Sequence, residues 1–402
     1  MSKPLAGIRV ADFSWVWAGP FCTLQLAHLG AEVIRVECRD RPCVTRLIPP
    51  FADFETGLNR SGYFNQYNQG KRSLTLNLKH PRALEVARRL ISRSDVVAEN
   101  FANGVMERMG LGYEEVRKLR PDAIMVSISG YGRSGPERDF VSYGPATVPL
   151  AGFSSVTGYK GGPPMHVGIS YGDPTAGLHG AVAVLAALCH RQQTGEGQFI
   201  DVSLWEASAT LLPEALLEYE MNGTEPPRDG NRNPHMAPHG VFRSEGQDRW
   251  VSIAVGSDDE WRSLAAVVGD AELSSPRFRT LADRKRNEDD LEQRLTRWTT
   301  TVSPEEATRR LQAAGVAAFP TMTNQDVAED PHLNGRGFFV DLPHPEVGKR
   351  HHAGVPWKLS ATPCEVAAPA PCLGQHNREV LTDVLGYSGA EIEALTAAGA
   401  LG

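Results

Sequence analysis

An aspartate followed by a proline, Asp173-Pro174, stands at the head of an alanine-rich segment. An aspartate before a proline at the first helical position is typical of a helix N-terminus, so Asp173 is predicted to be an N-cap. On the residues alone, this pattern favours a purely structural cap. The same geometry would also suit a catalytic carboxylate, because a helix N-terminus keeps a carboxylate ionised and ready to attack an electrophile such as a thioester.

Other signatures of catalysis or cofactor binding are incomplete in this sequence. Gly130, Gly132 and Gly135 form a nominal GxGxxG, but Pro136 and charged residues follow where a dinucleotide site requires a helix. A plain glycine-rich loop is therefore predicted there. The chain has no GxSxG, HExxH or P-loop motif, and its 6 cysteines and 12 histidines show no metal-binding spacing, so no metal is expected.

The composition is that of a globular protein, with 41% hydrophobic and 22% charged residues among 402. A formal net charge of -7 argues against a nucleic-acid ligand. The sequence begins without a basic segment that leads into an apolar run, and its longest apolar stretch, around 180–189, is too short to span a membrane. A cytoplasmic protein without a membrane or nucleic-acid partner is expected.

Short β-branched runs alternate with amphipathic segments over the first 130 residues and again after Asp173. This alternation predicts an α/β fold with a parallel sheet flanked by helices. The small residues of the segment after Asp173 predict close helix packing. The predicted strands cover 8–13, 32–37, 73–78, 95–101, 123–129 and 199–204, and the predicted helices cover 20–29, 81–92, 114–119 and a long segment from 173.

A stretch rich in glycine, proline and asparagine, 221–240, indicates a linker or a long functional loop. A strand at 249–255, a helix after it and a charged helix over 281–298 then indicate a smaller α+β unit. The tail ends in an amphipathic helix, 389–399, whose packing partner the periodicity does not identify.

Ten ordered blocks along nearly the whole chain form a recognisable pattern: PLAGIRVADFSWVWAGP (4–20), LGAEVIRVE (29–37), NQGKRSLTLNL (68–78), DVVAENF with VMERMGLGYE (95–115), SGYGRSGP (129–136), YGDPTAGLHGAVAVLAAL (171–188), TGEGQFIDVS (194–203), AGVAAFP (314–320), DPHLNGRGFF (330–339) and LGQHNREVL (373–381). These blocks resemble the class III CoA-transferases, the formyl-CoA transferase and carnitine-type (CaiB/BaiF) family.

The resemblance implies a Rossmann-like large domain over 1–220 and 325–402, which binds CoA, with linkers and a smaller α+β domain over 221–324. It also implies an interlocked homodimer of ring-shaped subunits, with a heteromer containing a related subunit as the alternative. The aspartate of the family's GD block is its nucleophile and falls on Asp173, where capping and catalysis are compatible.

The family's CoA-contacting positions fall on a set of residues that includes three arginines and a lysine. Arginine and lysine can bind the phosphates of CoA, and an aromatic face suits the adenine. The residues are Val16, Arg39, Lys71, Arg72, Asn100, Phe101 and Arg108. No tightly bound cofactor is implied, because the CoA thioester is a substrate.

Tyr143 matches a tyrosine near the acyl group of formyl-CoA transferase, where related α-methylacyl-CoA racemases carry a histidine that returns a proton. Trp17, beside Trp15, replaces a polar residue of formyl-CoA transferase. A larger, more apolar acyl group than formate or oxalate is therefore expected. The segment containing His239 and Gly240 replaces the family's glycine-rich loop over the nucleophile, and it completes the expected substrate pocket.

The expected reaction moves CoA from an acyl-CoA to a free carboxylic acid, with succinyl-CoA as a candidate donor. It proceeds through a mixed anhydride and an aspartyl-CoA thioester on Asp173. Two alternatives remain open: an isomerase similar to the racemases, and a non-catalytic CoA-binding subunit of a heteromeric transferase.

Overall fold

The computed structural model describes residues 3–402. The strands are β1 (Arg9–Asp12), β2 (Glu32–Glu37), β3 (Arg72–Thr75), β4 (Val96–Glu99), β5 (Ile124–Ser129), β6 (Phe199–Ser203), β7 (His239–Arg243), β8 (Trp250–Ala254), β9 (Ala317–Pro320), β10 (Phe339–His344) and β11 (Gly348–Ala353).

The helices are α1 (Ala18–His28), α2 (Gly62–Tyr67), α3 (Pro81–Ser92), α4 (Val105–Arg108), α5 (Tyr113–Leu119), α6 (Gly144–Leu150), α7 (Phe153–Val156), α8 (Gly172–Thr194), α9 (Leu204–Ala209), α10 (Pro213–Asn222), α11 (Asp258–Val268), α12 (Leu281–Arg286), α13 (Glu288–Thr299), α14 (Pro304–Ala313), α15 (Asn324–Glu329), α16 (Pro331–Gly335), α17 (Asn377–Glu379) and α18 (Gly389–Ala397). Short 3-10 turns cover Val44–Arg46, Ala52–Phe54, Ala271–Ser274 and Pro276–Phe278, and a π-helical turn covers Val380–Val384.

The first six strands form one parallel sheet in the order β3-β2-β1-β4-β5-β6. The predicted α/β fold with a parallel sheet is therefore confirmed. The strand order reverses between β1 and β4, and in such sheets ligands bind in the crevice beyond the carboxyl ends of the strands at that point. Asp12, the last residue of β1, pairs with Arg35 on one side and Ala98 on the other.

The central strands β4 and β5 are buried on both faces of this sheet, and their sequences are mostly apolar, as is typical of parallel strands covered by helices. Alternate residues enter separate cores, because successive strand side chains point to opposite faces. Val10 and Val33 pack against α1 and α8. Ala11 and Ile34 pack on the other face, in a core that includes α3 and the final helix α18. The core on that second face is thus the packing partner that sequence periodicity did not identify for α18.

Helices α1 and α8 approach closely because α8 carries glycines at the contact. A Cβ on Gly177 would lie 2.7 Å from the carbonyl oxygen of Ala18, and one on Gly180 would lie 3.3 Å from Cys22 Sγ, both in α1. The close packing predicted for this segment is observed. It brings the first turns of α1 and α8 together at the carboxyl edge of the sheet.

The chain divides into two compact units. The larger contains the residues up to Ser154, His166–Thr224 and Asn334–Gly402, and the smaller contains Ser155–Met165 and Glu225–Leu333. This division differs from the expected one, 221–324, since the smaller unit also takes 155–165 and extends to Leu333. The expected interlocked dimer stays a prediction.

The smaller unit has its own antiparallel sheet, β7-β8-β9. Its core combines apolar residues of that sheet with Trp261, Leu291 and Leu311 from its helices. The charged stretch predicted as one helix forms two, α12 and α13, separated by Asn287. The linker predicted up to 240 ends earlier, because β7 begins at His239.

Two helix starts also differ from the prediction. Helix α1 begins at Ala18, so Pro20 is its third residue. Helix α8 begins at Gly172 with Tyr171 as its cap, so Asp173 lies inside the first helical turn and the predicted N-cap is wrong. The N–H groups of that turn have no helical partners, so the carboxylate still lies at the positive end of the helix dipole.

The nominal GxGxxG segment forms a loop, as predicted, since the next helix begins only at Gly144. Within residues 3–402, no helix has the length and apolar character needed to cross a membrane. The described residues also contain no group of three or more histidine, cysteine, aspartate or glutamate side chains that could hold a metal ion. The six cysteines are free thiols.

His28 predicts a specific loss of stability in acid. Its side chain lies in the last turn of α1, 4% exposed, with Nε2 3.3 Å from Gln69 Oε1. Burial lowers its pKa to about 4. An unfolded histidine has a pKa of about 6.5, so the unfolded state binds more protons between these values and stability falls as pH drops through that window.

Protonation of His28 in the unfolded state should lower the free energy of unfolding by roughly 3 kcal/mol between neutral pH and pH 4. Denaturant unfolding of the wild type and His28→Gln at pH 7 and pH 4.5 measures it. We expect the midpoint of the wild type to fall more steeply with acid than that of the variant. The same acid sensitivity in both proteins would contradict this assignment.

Candidate active site

Asp173 lines a cavity of about 480 Å³ in the larger unit. We call it the nucleophile cavity. Its walls come from the segments that follow β1, β4 and β5, and from the first turns of α1, α6 and α8. The cavity therefore occupies the crevice where the strand order reverses, and its lining includes Val16, Trp17, Ala18, Tyr63, Asn100, Phe101, Tyr131, Arg138, Tyr143, Gly144, Ser170 and Asp173.

Asp173 is 8% exposed, and its carboxylate accepts a hydrogen bond from the Ser170 hydroxyl. Burial is the largest influence and raises the pKa of the carboxyl above its usual range, while the Ser170 hydroxyl and the nearby backbone N–H groups of Ala18 and Asp173 oppose that increase. A partly desolvated carboxylate held in one orientation is suited to nucleophilic attack.

Gly144 lies directly against this carboxylate. A Cβ at that position would overlap both Asp173 Oδ2 and Ser170 Oγ. Only glycine allows the backbone of α6 to approach so closely, and this explains the glycine in the segment VSYGPA. The preceding residue, Tyr143, lines the nucleophile cavity and is exposed. Its contact with the acyl group of a substrate stays a prediction.

An aromatic cluster forms one wall beside Asp173. Trp17 is buried, with ring centroids 5.6 Å from Tyr63 and 5.2 Å from Tyr67. Burial raises the pKa of both tyrosines, and the nearby charge of Asp173 raises it further. Sequence reasoning did not identify these tyrosines. Their spacing of four residues on α2 was the available signal, because such side chains share one helix face.

The loop between β1 and α1 is held in an unusual conformation. Val16 has φ = 63°, in a region that β-branched residues rarely adopt. The Asn100 side chain fixes this loop, since Oδ1 accepts from the Trp15 N–H at 2.6 Å and Nδ2 donates to the Trp15 carbonyl at 2.7 Å. Asn100 was expected to contact CoA, but these bonds give its amide a positioning role.

A second cavity of about 840 Å³ lies beside the first and shares Phe101 and Ala102 with it. We call it the cationic cavity. Its lining includes Phe13, Trp15, Cys38, Asp40, Arg41, Asn77, Lys79, Phe101, Ala102 and Arg108. Of the residues expected to bind CoA, Phe101 and Arg108 line it directly, and Arg39 is an exposed residue between Cys38 and Asp40 at its edge.

Trp15 lies in the cationic cavity, whereas it was expected in the substrate pocket. The guanidinium of Arg41 lies 5.5 Å from the centre of its indole, and the Phe101 ring lies 6.2 Å away. Arg41 and Lys79 are the cations that sequence reasoning missed. Both follow the carboxyl end of a strand, β2 or β3, where ligand-binding residues of this fold class occur.

Lys71 does not reach either cavity. Its ammonium group is fully buried, 3.1 Å from Asp12 Oδ2, 2.7 Å from Thr23 Oγ1 and 2.9 Å from the carbonyl of Pro20. These partners satisfy its three donors, and burial lowers its pKa to about 8. The expected contact with CoA is thus replaced by a structural ion pair, which joins β1 to α1.

Arg72 also lies away from both cavities. It is the first residue of β3, at the amino edge of the sheet, and the ligand crevice is at the carboxyl edge. Its guanidinium donates to Glu32 Oε1 at 2.5 Å and to Glu379. This position gives Arg72 a role in surface ion pairing, in contrast to the expected CoA contact.

His239 and Gly240 belong to β7 of the smaller unit. There they line a cavity together with Tyr159 and Arg232, and His239 Nδ1 lies 2.5 Å from the carbonyl oxygen of Asn231. Their expected place in the substrate pocket stays a prediction.

A buried carboxylate thus lines one cavity, and a second cavity that contains three cationic side chains, Arg41, Lys79 and Arg108, lies beside it. The family profile described as "CoA-transferase family III" matches residues 5–377. The chain belongs to this family, and the protein is a CoA-transferase.

Two relatives and a solved structure agree with this assignment. The chain is 33% identical to a succinyl-CoA–D-citramalate CoA-transferase of Chloroflexus aurantiacus, over 98% of this chain and 97% of that protein. It is 33% identical to a succinate–glutarate CoA-transferase of Agrobacterium fabrum, over 95% and 96%. A CaiB/BaiF family protein from Brucella suis superposes with a TM-score of 0.87 at 29% identity, over 96% of this chain and 100% of that one.

The Ser170 hydrogen bond predicts a change in pH dependence. A donor to the ionised carboxylate lowers its pKa, so Ser170→Ala should raise the pKa of Asp173 further. If transfer requires the ionised form, the acid limb of the kcat/KM profile should move to higher pH. Ser92→Ala, on α3, is the matched control, since its hydroxyl donates only to the carbonyl of Arg89. An unchanged acid limb in Ser170→Ala would contradict the role of this bond.

Proposed function

We propose that Asp173 is the covalent nucleophile that carries CoA between a donor acyl-CoA and an acceptor carboxylic acid. The observation that carries this proposal is the state of its side chain, a buried carboxylate held by the Ser170 hydroxyl inside the nucleophile cavity. Surface aspartates lack both the desolvation and the fixed orientation that covalent catalysis requires.

The reaction proceeds in four steps that conserve the thioester. The Asp173 carboxylate attacks the donor thioester carbon, and a mixed anhydride forms as the CoA thiolate leaves. The thiolate attacks the aspartyl carbonyl of the anhydride, which releases the donor acid and leaves an aspartyl-CoA thioester. The acceptor carboxylate attacks that thioester to form a second anhydride and free thiolate. The thiolate then attacks the acceptor carbonyl, which gives the new acyl-CoA and restores Asp173.

Both anhydrides must be protected from water, because hydrolysis would waste the thioester. The ring cluster of Trp17, Tyr63 and Tyr67 supports this requirement by covering one side of Asp173 with apolar surface. We expect backbone N–H groups at the starts of α1 and α8 to stabilise the developing oxyanion.

The cationic cavity suits the nucleotide end of CoA. Arg41, Lys79 and Arg108 line it and supply positive charge for the phosphates. Trp15 and Phe101 offer aromatic faces for the adenine. Because Phe101 also borders the nucleophile cavity, the pantetheine arm has a short route past it to Asp173.

Succinyl-CoA is the donor we propose. The two relatives described above are named for succinyl-CoA or succinate, and the nucleophile cavity is larger than a one- or two-carbon acid needs. The two alternatives receive no support from the site. A racemase needs a second base, and no histidine lines the nucleophile cavity in the described part of the chain. A non-catalytic subunit could lack the nucleophile, whereas Asp173 is present here.

Asp173→Asn tests the nucleophile. An amide cannot form the anhydride, so we expect CoA transfer to fall by about four orders of magnitude or more. The assay follows labelled succinate entering succinyl-CoA, and Asp383→Asn, an exposed aspartate beyond both cavities, is the matched control. Equal unfolding midpoints show that the variants are folded.

Transfer at the wild-type rate by Asp173→Asn would refute the proposal. The same samples, incubated with acyl-CoA in deuterated water, report exchange of the α-proton. Exchange without any transfer by the wild type would favour the isomerase alternative.

A further inference from the structure

Among the described residues that line the nucleophile cavity, Arg138 is the only one with a cationic side chain. It lies in the loop between β5 and α6, together with the apolar residues Phe140 and Val141, which line the same cavity. The sequence analysis assigned it no role. A guanidinium at the wall of a cavity that also contains the Asp173 carboxylate is placed to meet an anionic substrate.

The charge of Arg138 is only weakly compensated within the chain. Its Nε lies 3.6 Å from the Asp139 carboxylate, which is beyond hydrogen-bond distance, and both side chains are more than half exposed. Asp139 accepts a closer bond, 2.9 Å, from Asn103 Nδ2. The guanidinium of Arg138 therefore keeps donors for another ligand.

Arg133, five residues earlier in the same loop, shows the contrast. Its guanidinium pairs with the buried Glu99 and also donates to the Ser127 hydroxyl, and its side chain is only 9% exposed. Arg133 thus holds the loop on the sheet, while Arg138 is left facing the cavity.

The charge of Asp173 makes this difference important. An incoming acid already brings one carboxylate toward Asp173, and a second negative charge would be repelled by the charge of the nucleophile. A cation on the cavity wall offsets that cost. The planar guanidinium of arginine can also bind a carboxylate through two parallel hydrogen bonds.

We propose that Arg138 binds the second carboxylate of a dicarboxylic substrate and makes the site select dicarboxylates over monocarboxylates of equal length. This inference rests on the proposed function and deepens it, since it names the substrate class and the residue that recognises it. The first carboxylate, or its thioester, lies at Asp173, and the chain between the two ends contacts the apolar wall.

The selectivity can be tested by measuring how fast a labelled free acid enters the CoA thioester of the same acid. Donor and acceptor are then the same acid, so each rate reports on that acid alone. Succinate with succinyl-CoA and butyrate with butyryl-CoA have the same four-carbon chain and differ by one carboxylate. For Arg138→Gln we expect kcat/KM to fall at least about tenfold for succinate, because the variant loses the charge-assisted hydrogen bonds to the second carboxylate. For butyrate, which has no second carboxylate, we expect a fall of less than about threefold. Arg138→Lys should retain part of the succinate activity, because lysine keeps the positive charge but cannot form the two parallel hydrogen bonds of a guanidinium.

Arg117→Gln is a closely matched control. Its side chain is 55% exposed against 54% for Arg138, and it lies at the same 3.6 Å from a neighbouring carboxylate, Glu114, but it lines neither cavity. It should leave both exchange rates unchanged. Calorimetric dissociation constants of the two free acids give the same comparison without turnover.

An equal change for both acids in Arg138→Gln, or no change for either, would overturn the inference. A wild type that binds butyrate as tightly as succinate would also overturn it. The outcome is separate from the fate of Asp173 as nucleophile. If Asp173→Asn kept full exchange, the covalent proposal would fail, while the ratio between the acids in Arg138→Gln would still report on carboxylate recognition.

Discussion

The close contact between α1 and α8 is the constraint on which the site depends. Gly177 and Gly180 remove the side chains that would separate these helices, and their first turns then meet at the carboxyl edge of the sheet. The backbone N–H of Ala18 therefore lies close enough to the Asp173 carboxylate to oppose the rise of its pKa. One packing contact thus supplies both the burial that raises the pKa of Asp173 and a backbone dipole that favours its ionised form.

The buried polar residues behind this contact support it from the sheet side. Asp12, at the end of β1, accepts from Thr23 of α1 and pairs with Lys71, so the strand, the helix and the start of β3 are tied together. Asn100 fixes the loop between β1 and α1 from the next strand. Removing one partner of a buried ion pair typically costs about 3–5 kcal/mol, so these residues determine whether the nucleophile is held in place.

Sequence reasoning predicted much of the fold because the parallel sheet leaves a strong apolar pattern, and the bounds of β2 and α3 agree with the prediction. It also selected Asp173. It failed for Lys71 because a sequence position does not show whether an amine faces a cavity or a buried carboxylate. Arg41 and Arg138 were missed because charged residues in loops look like solvated surface until the strands place them beside a cavity.

The central claim is that Asp173 becomes acylated during turnover. Mass spectrometry of the peptide that contains Asp173, after the wild type is mixed with succinyl-CoA and quenched with hydroxylamine, tests it most directly. The account predicts a hydroxamate on Asp173 that depends on the donor and is absent when the donor is omitted. Rapid transfer with an unmodified Asp173 peptide, or a hydroxamate on a different residue, would contradict it.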